Sequence, residues 1–437
     1  MNPERPRDLW PLGLMRERAG SSRPPAEVAK PASFEEVQAL LGSGRRVLAA
    51  GGRSGVCGAL DPGPGDLVVD LTGLAGCEID EANLAVRAQA GLTGQALESK
   101  LNERGLTLGH FPSSLPLATV GGLVSTRSSG QQSTLYGSVE DMVIGLTVAL
   151  PGGQLVEARV HPRTAAGPPL EMLFVGAEGG LGVVLEAVLR VHRLPEAVVG
   201  AGWRVPGTAE GLESLRLSLQ RGLRPLVLRL YDPEDSVLQG LEGGGCLLLA
   251  ASAGPAPVAE AEAAVMGELV HGEPLGAEPW ERWLRHRFDL SADRLQDLLA
   301  PPGAYVDTIE VAASWTDLPA LYHEVKAHLA GVADLALCHF SHGYPQGCCA
   351  YFTFLGSAAD ESGAEAAYRE AWRGAMEITL AHRGTISHHH GVGQVRAPWI
   401  EADMGGWSTI WQRVSRALDP QGLMNPHAVG GLGAGAG

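Results

Sequence analysis

In the first half of the chain, apolar residues come in short runs bounded by glycine, proline and hydroxylated residues. The runs at Arg46 to Ala50, Leu67 to Leu71 and Leu84 to Ala90 have the length and aliphatic content of strands. Phe34 to Leu41 and Thr93 to Arg104 instead repeat apolar positions three and four apart, the spacing of an amphipathic helix. Ser33, with Glu36 three residues on, supplies the N-cap of the first helix; Thr93 caps the second and Gly105 stops it. Met142 to Leu150, the Pro151-Gly152-Gly153 turn and Gln154 to Ala158 predict a hairpin. A further strand enters through Glu178 to Val184 and ends near Leu194, and Pro195 closes this half. Residues 1–30, rich in Pro and Arg with little periodicity, predict a loosely attached arm.

From Val198 the pattern changes to alternating strands and helices. Strands are predicted at Pro225 to Tyr231, Gly245 to Ala251, Tyr305 to Val311, Ala333 to Ser341 and Cys349 to Phe354. Helices are predicted at Pro257 to Leu269, Trp280 to Phe288, Asp317 to Leu329, Gly363 to His382 and Glu401 to Leu418. This is an α+β pattern, an antiparallel sheet covered by helices on one side. A chain of 437 residues exceeds one ordinary core. The expected division is an arm at 1–30, a first domain at 31–195, a second at 196–394, and a segment 395–437 that returns to the first.

Charge narrows the partners. With 33 basic against 49 acidic residues the net charge is -16, which argues against nucleic acid or an anionic bilayer as the main partner. An anionic substrate would need local positive charge. No apolar run approaches the ~20 residues of a membrane span. Met1 to Arg18 lacks the apolar core of a signal peptide, so a cytoplasmic location is expected. The six cysteines form no CxxC pair, and adjacent Cys348 and Cys349 read as buried thiols in a strand.

Several stretches carry candidate chemistry. Gly51-Gly52-Arg53-Ser54-Gly55 directly follows a strand, as phosphate-binding loops do. The residues after it, Ala59-Leu60-Asp61-Pro62-Gly63-Pro64-Gly65, cannot be helical, so any binding uses a nest of backbone N–H groups; a plain tight turn is the alternative. From Gly109 to Gly137 small and hydroxylated residues recur in a long irregular stretch, which favours a bound ligand. Arg229 stands inside an apolar strand and needs an anion, either a phosphate or carboxylate or else Asp232 or Asp307. Ser387-His388-His389-His390-Gly391-Val392-Gly393 concentrates three polar rings that need partners. In an extended segment His388 and His390 would share one face and His389 the other.

Taken in order, these motifs resemble the FAD-binding (PCMH-type) domain of the vanillyl-alcohol-oxidase flavoproteins over residues 31–195. Val86-Arg87-Ala88-Gln89-Ala90-Gly91, Thr126-Arg127-Ser128-Ser129-Gly130, Tyr136-Gly137 ahead of Glu140-Asp141, and the histidine run resemble the alkylglycerone-phosphate (alkyl-dihydroxyacetone-phosphate) synthases. The resemblance implies a two-subdomain FAD domain followed by an α+β substrate, or cap, domain with an antiparallel sheet. It implies non-covalent FAD held by Ala50, Gly51, Gly52, Arg53, Ser54 and Gly55 at the pyrophosphate. Ser113, Ser114, Thr119, Gly121, Gly122, Thr126, Arg127, Ser128 and Ser129 would line the cofactor further along. Glu178, Gly179, Gly180, Gly182, Val183 and Val184 would sit on the adenosine side. The sequence departs from the synthases at Arg53-Ser54-Gly55, where they carry Gly-Thr-Ser.

For the chemistry, the resemblance implies Tyr351 as acid or base, His389 beside it, His390 near a substrate phosphate, His388 in a structural or metal-bound role and Arg229 on the anion. A phenol needs a neighbouring cation or imidazole to work near neutrality, and the histidines could supply it. Cys338-His339-Phe340-Ser341-His342 stands where those synthases place an arginine, so His339 lines the substrate site instead. That change resembles the 2-hydroxy-acid dehydrogenases, whose histidines here bind a divalent metal; His339, His342 and His388 are the corresponding candidates. The alternative, hydrogen-bonded histidines lining a flavin pocket without a metal, is the one adopted. The implied reaction exchanges the acyl chain of acyl-dihydroxyacetone phosphate for a fatty alcohol, without net redox change. The competing reading is an FAD-linked oxidase or dehydrogenase of an alcohol or 2-hydroxy acid; a non-enzymatic flavin scaffold is a third. A small-molecule or lipid-like substrate, peripheral membrane contact and a homodimer go with the synthase reading. Trp280, Trp283, Leu284 and Phe288 would line a tunnel or face a membrane; ordinary helix packing is the alternative.

Overall fold

The computed structural model describes residues 6–21, 26–289 and 292–433. Two small sheets build the first domain. Glu27–Ala29, Leu67–Asp70 and Val47–Ala50 form a parallel sheet in that order. Cys77–Asp80, Ala85–Gln89, Val183–Arg190, Val143–Ala149 and Leu155–Val156 form an antiparallel one. The predicted caps are present: Ser33 Oγ accepts from Glu36 N–H at 3.3 Å and Thr93 Oγ1 from Ala96 N–H at 3.2 Å. Within the stretch expected to be irregular, Val120–Ser125 is a helix. Its glycines hid it, because they lower helix propensity while allowing close packing; a Cβ on Gly121 would lie 2.7 Å from that of Ala90.

The second domain is a seven-stranded antiparallel sheet. Its order is Glu273–Gly276, Ala197–Val205, Cys246–Gly254, Val227–Tyr231, Leu335–Tyr344, Gly347–Ser357 and Ala304–Ser314. Alternation divides its two faces. Leu228, Leu230, Phe340, Phe352 and Phe354 pack under Thr208–Gln220, Leu318–Ala330 and Glu361–Ala381, forming the main core. On the other face Val227, Tyr231, Leu247 and Leu249 pack against Glu278–His286 through Trp280 and Trp283. These tryptophans are buried and stacked at 5.3 Å, so helix packing explains them and they are not membrane-facing.

Two termini differ from expectation. Pro11–Arg18 is a helix, and Trp10, Leu12 and Met15 lie in the second domain's core. Arg16 pairs with Glu365 at 2.8 Å and Arg18 with Glu361 at 2.5 Å. The segment is docked, not loose; eight residues are too few for a periodic signal. Near the C-terminus the single predicted helix is two, Ile400–Met404 and Trp407–Leu418, broken where Gly405 takes φ +51. Beyond them Leu423 accepts a backbone bond from Val47 at 2.7 Å, and Met424 enters the core of the small parallel sheet. Among the described residues, no helix is long and apolar enough to cross a membrane.

Candidate active site

Strand pairing alone assembles the centre of the site. Tyr231, His339, Tyr351 and Glu310 are successive partners across four neighbouring strands. Residues opposite each other in a sheet share a face. Arg229, two positions before Tyr231, shares it too. The His339 ring stacks on Tyr351 with centroids 4.7 Å apart and planes 15° apart. On its other side His339 Nδ1 lies 3.5 Å from Asp235.

The histidine run is brought over this row by Glu310. Its fully buried carboxylate accepts from the backbone N–H of His389 at 3.2 Å and of His390 at 2.8 Å, and from Ser387 Oγ at 3.2 Å. Arg396, also fully buried, donates to Glu310, to Ile386 O at 2.8 Å and to Gly391 O at 3.0 Å, and stacks on Trp372. Wrapping around one carboxylate bends the segment, so the alternation expected of an extended run does not hold. His388 and His389 touch, Nδ1 to Nδ1 at 2.9 Å, and His389 and His390 lie 5.9 and 5.6 Å from the Tyr351 ring. All three rings therefore crowd one side. Neither Glu310 nor Arg396 figured among the expected residues. Glu310 carried the signal that exposed Arg229, a charge inside an apolar strand; Arg396 follows the motif without any such pattern.

Burial sets the proton positions. It pushes His339 and His388 down to about 4 and His342 and His389 well below their ordinary range. It pushes the Tyr351 phenol well up, Thr308 opposing and Glu310 adding to the rise. Burial also works against the Glu310 carboxylate, but Arg396 and then His390 outweigh it and hold that group well below the carboxylate range. His388 and His389 are neutral at pH 7, so of the cation or imidazole expected beside Tyr351, His389 is the imidazole. Tyr351 is a phenol that can give a proton, and His389 a neutral ring that can take one. A lowered pKa keeps His339 and His388 uncharged from the ordinary 6.5 down to about 4. Burial holds His389, the ring beside Tyr351, well below 6.5 as well, so the acid limb of turnover is expected well below 6.5; a rate–pH profile breaking near 6.5 would show hydrated rings instead.

Arg229 is 9% exposed, and its Nε finds no partner. It stacks on Tyr231 at 5.5 Å and Trp283 at 5.6 Å, and among the described residues it makes no ion pair. Neither carboxylate considered for it is available. Asp232 pairs with Lys326, and Asp307 accepts from Tyr368 at 2.6 Å and Trp372 at 3.1 Å on the opposite face. A buried guanidinium without a counter-ion is costly, so an anion bound beside it would offset that cost. His342, not counted among the site residues, binds Ser133 of the first domain at 2.7 Å and flanks His388 and His389. The ligand set His339, His342 and His388 does not converge, because His339 is turned to Asp235 and Tyr351.

In the first domain the expected cofactor residues fall into three groups. Ala50 ends its strand, and Gly51 and Gly52 lie so tightly on residues 117–119 that a Cβ would strike Thr119 Oγ1 or Leu117 O. Arg53, at φ +56, pairs with Asp70 at 2.8 Å, while Ser54 and Gly55 continue the loop, Gly55 O accepting from Leu9. Ser113 and Ser114 turn the chain into Thr119, whose buried Oγ1 has no partner; Arg53 Nε is likewise unpartnered. Close packing on residues 117–119 accounts for the two glycines, and the orphaned buried donors Thr119 Oγ1 and Arg53 Nε beside them fit a phosphate-bearing cofactor. Gly121 and Gly122 lie in the helix that follows, and Thr126 Oγ1 closes it on Gly122 O at 3.0 Å. Ser128 meets His110, Ser129 meets Ser138, and Arg127 pairs with Glu140 at the surface. His110, which sequence reasoning passed over, is buried with Nδ1 unpartnered.

The third group is chiefly structural. Glu178 gives its carboxylate to the N–H groups of Val392 at 2.7 Å, Gly393 at 3.1 Å and Val429 at 2.6 Å. Gly179, Gly180 and Gly182 carry the turn, and the side chains of Val183 and Val184 lie in two different first-domain cores. Replacing Glu178 by Ala strands the buried N–H groups of Gly393 and Val429, at about 1–3 kcal/mol each, and frees that of half-buried Val392. Limited proteolysis is expected to cut the variant near residues 425–433 well before the wild type; equal resistance would remove this clamp from the account.

The comparisons with known proteins agree with this fold. The family described as "FAD linked oxidases, C-terminal domain" matches residues 194–429, and the "FAD binding domain" matches residues 25–159. Alkyldihydroxyacetonephosphate synthase of Dictyostelium discoideum is 29% identical over 94% of this chain and 74% of its own. The uncharacterized FAD-linked oxidoreductase YgcU of Escherichia coli K12 is 31% identical over 79% of this chain and 75% of its own. A solved alkyldihydroxyacetonephosphate synthase superposes with TM-score 0.75 at 26% identity, covering 91% of this chain and 75% of that one. The chain belongs to the FAD-linked oxidase family and is an FAD-dependent enzyme.

Proposed function

We propose that this enzyme acts as an alkylglycerone-phosphate synthase, exchanging the acyl chain of an acyl-dihydroxyacetone phosphate for a fatty alcohol. The observation that carries the reading is Arg229, an unpaired buried cation on the sheet face that also presents Tyr351 and the three histidines. Oxidation of a neutral alcohol gives such a cation nothing to bind, whereas a phosphate ester or a carboxylate does; the likeness to the synthase favours the phosphate ester. Likeness to the Dictyostelium synthase over nearly the whole chain supports the same reading. The flavin, held without a covalent bond at residues 50–55, 113–122 and 126–129, supplies an electrophilic N5 when bound. Arg229 fixes the headgroup, His389 takes a proton from substrate carbon or alcohol, and the Tyr351 phenol gives one to the departing oxygen.

A second reading, an FAD-linked oxidoreductase of an alcohol or 2-hydroxy acid, is favoured by His339 in the place of an expected arginine and by the likeness to YgcU. Mass spectrometry of products decides between them. The synthase forms an alkyl ether only when acyl ester and alcohol are both present, and needs no electron acceptor. Ketone or keto-acid formation that depends on an acceptor would establish the oxidoreductase.

A further inference from the structure

The chemistry assigned to Tyr351 leaves one group of the same sheet face unused, the thiol of Cys349. It lies two positions before Tyr351 and is fully buried. Its sulfur and one ring nitrogen from each of His388 and His389 lie within 4.8 Å of one another. We propose that Cys349, His388 and His389 form a zinc site.

One thiolate and two imidazoles suit Zn²⁺, which takes sulfur at about 2.3 Å and nitrogen at about 2.0 Å and in three-ligand sites keeps a fourth position open. Such bonds hold tetrahedral ligands about 3.5 Å apart. From within 4.8 Å the atoms must close by at most about 1.3 Å, a movement within reach of imidazole rotation. His388 Nε2 lies 2.9 Å from Tyr344 Oη, which can accept a hydrogen bond from it; the His388 Nδ1 lone pair then accepts from His389 Nδ1–H at 2.9 Å, a proton that His389 moves to its other nitrogen when the metal binds. Both imidazoles are half-buried, giving the ion a path that the thiol beneath them lacks. On binding, the thiol proton leaves to solvent as the sulfur–zinc bond forms, and no electron moves. Zinc and that proton then occupy both nitrogens of His389, so zinc-loaded protein lacks its base. The set excludes His339, which separates it from an arrangement built on the His339 strand.

The test titrates Zn²⁺ into the FAD-loaded protein by calorimetry and reads the zinc coordination shell by X-ray absorption. One equivalent is expected, with one sulfur and two imidazole nitrogens. Cys349→Ala and Cys349→Ser, each checked for an intact flavin spectrum, are expected to lose the sulfur shell and about tenfold or more in affinity. His339→Gln is expected to bind zinc as the wild type does. No stoichiometric binding, a shell of nitrogen and oxygen alone, unchanged affinity in both Cys349 variants, or loss of binding in His339→Gln would each overturn the assignment.

Discussion

Replacing Tyr351 by Phe is expected to lower turnover about 10²–10⁴-fold while the flavin stays bound. The substitution removes one hydroxyl from a ring already fixed between His339 at 4.7 Å and His390 at 5.6 Å, so packing is retained and only the proton is lost. Because burial keeps the phenol protonated, its role is that of an acid; the other buried phenol on the row, Tyr231, is separated from it by the strand that carries His339. His389→Ala should produce a comparable loss, for it removes the neutral ring paired with that acid. Visible absorbance and steady-state rates measured on the same sample separate the two effects. Full activity in Tyr351→Phe would displace the centre of the site from this row.

The second large effect is on stability. Arg396 and Glu310 are both fully buried, and each is the other's counter-ion. Arg396→Met leaves a buried carboxylate without its cation, a change expected to cost about 3–5 kcal/mol. The double variant Arg396→Met, Glu310→Leu should recover much of that loss, since replacing a buried pair by apolar groups is often near neutral. Turnover should not recover with it, because an aliphatic side chain in place of the carboxylate could not hold the N–H groups of His389 and His390. Urea denaturation of the flavin-loaded proteins checks the order wild type, double variant, single variant. A single variant as stable as the wild type would mean the pair is not the keystone of the histidine loop.

What could be read from the sequence follows from how local each feature is. Helix caps at Ser33 and Thr93 and the strand runs depend on neighbouring residues and were legible. The row Tyr231, His339, Tyr351 and Glu310 depends on register between strands far apart in the chain, which periodicity does not contain. The bend of residues 387–391 was misread for the same reason: its cause is a carboxylate some eighty positions earlier. The family resemblance put Glu178 on the adenosine side; that its carboxylate also holds three N–H groups from the last fifty residues of the chain depends on contacts no local pattern contains. Arg229 was legible because a charge within an apolar strand is anomalous whatever the fold.

The most direct test of the account is an anaerobic flavin spectrum. Purified enzyme is mixed without oxygen with fatty alcohol, 2-hydroxy acids and acyl-dihydroxyacetone phosphate in turn, and its visible absorbance is followed through turnover. The account predicts that alcohol and hydroxy acid leave the oxidised spectrum in place, and that the phosphate ester with alcohol yields alkyl product and returns the flavin to its oxidised form. Rapid, lasting bleaching by an alcohol or hydroxy acid, reversed by an artificial acceptor, would contradict it.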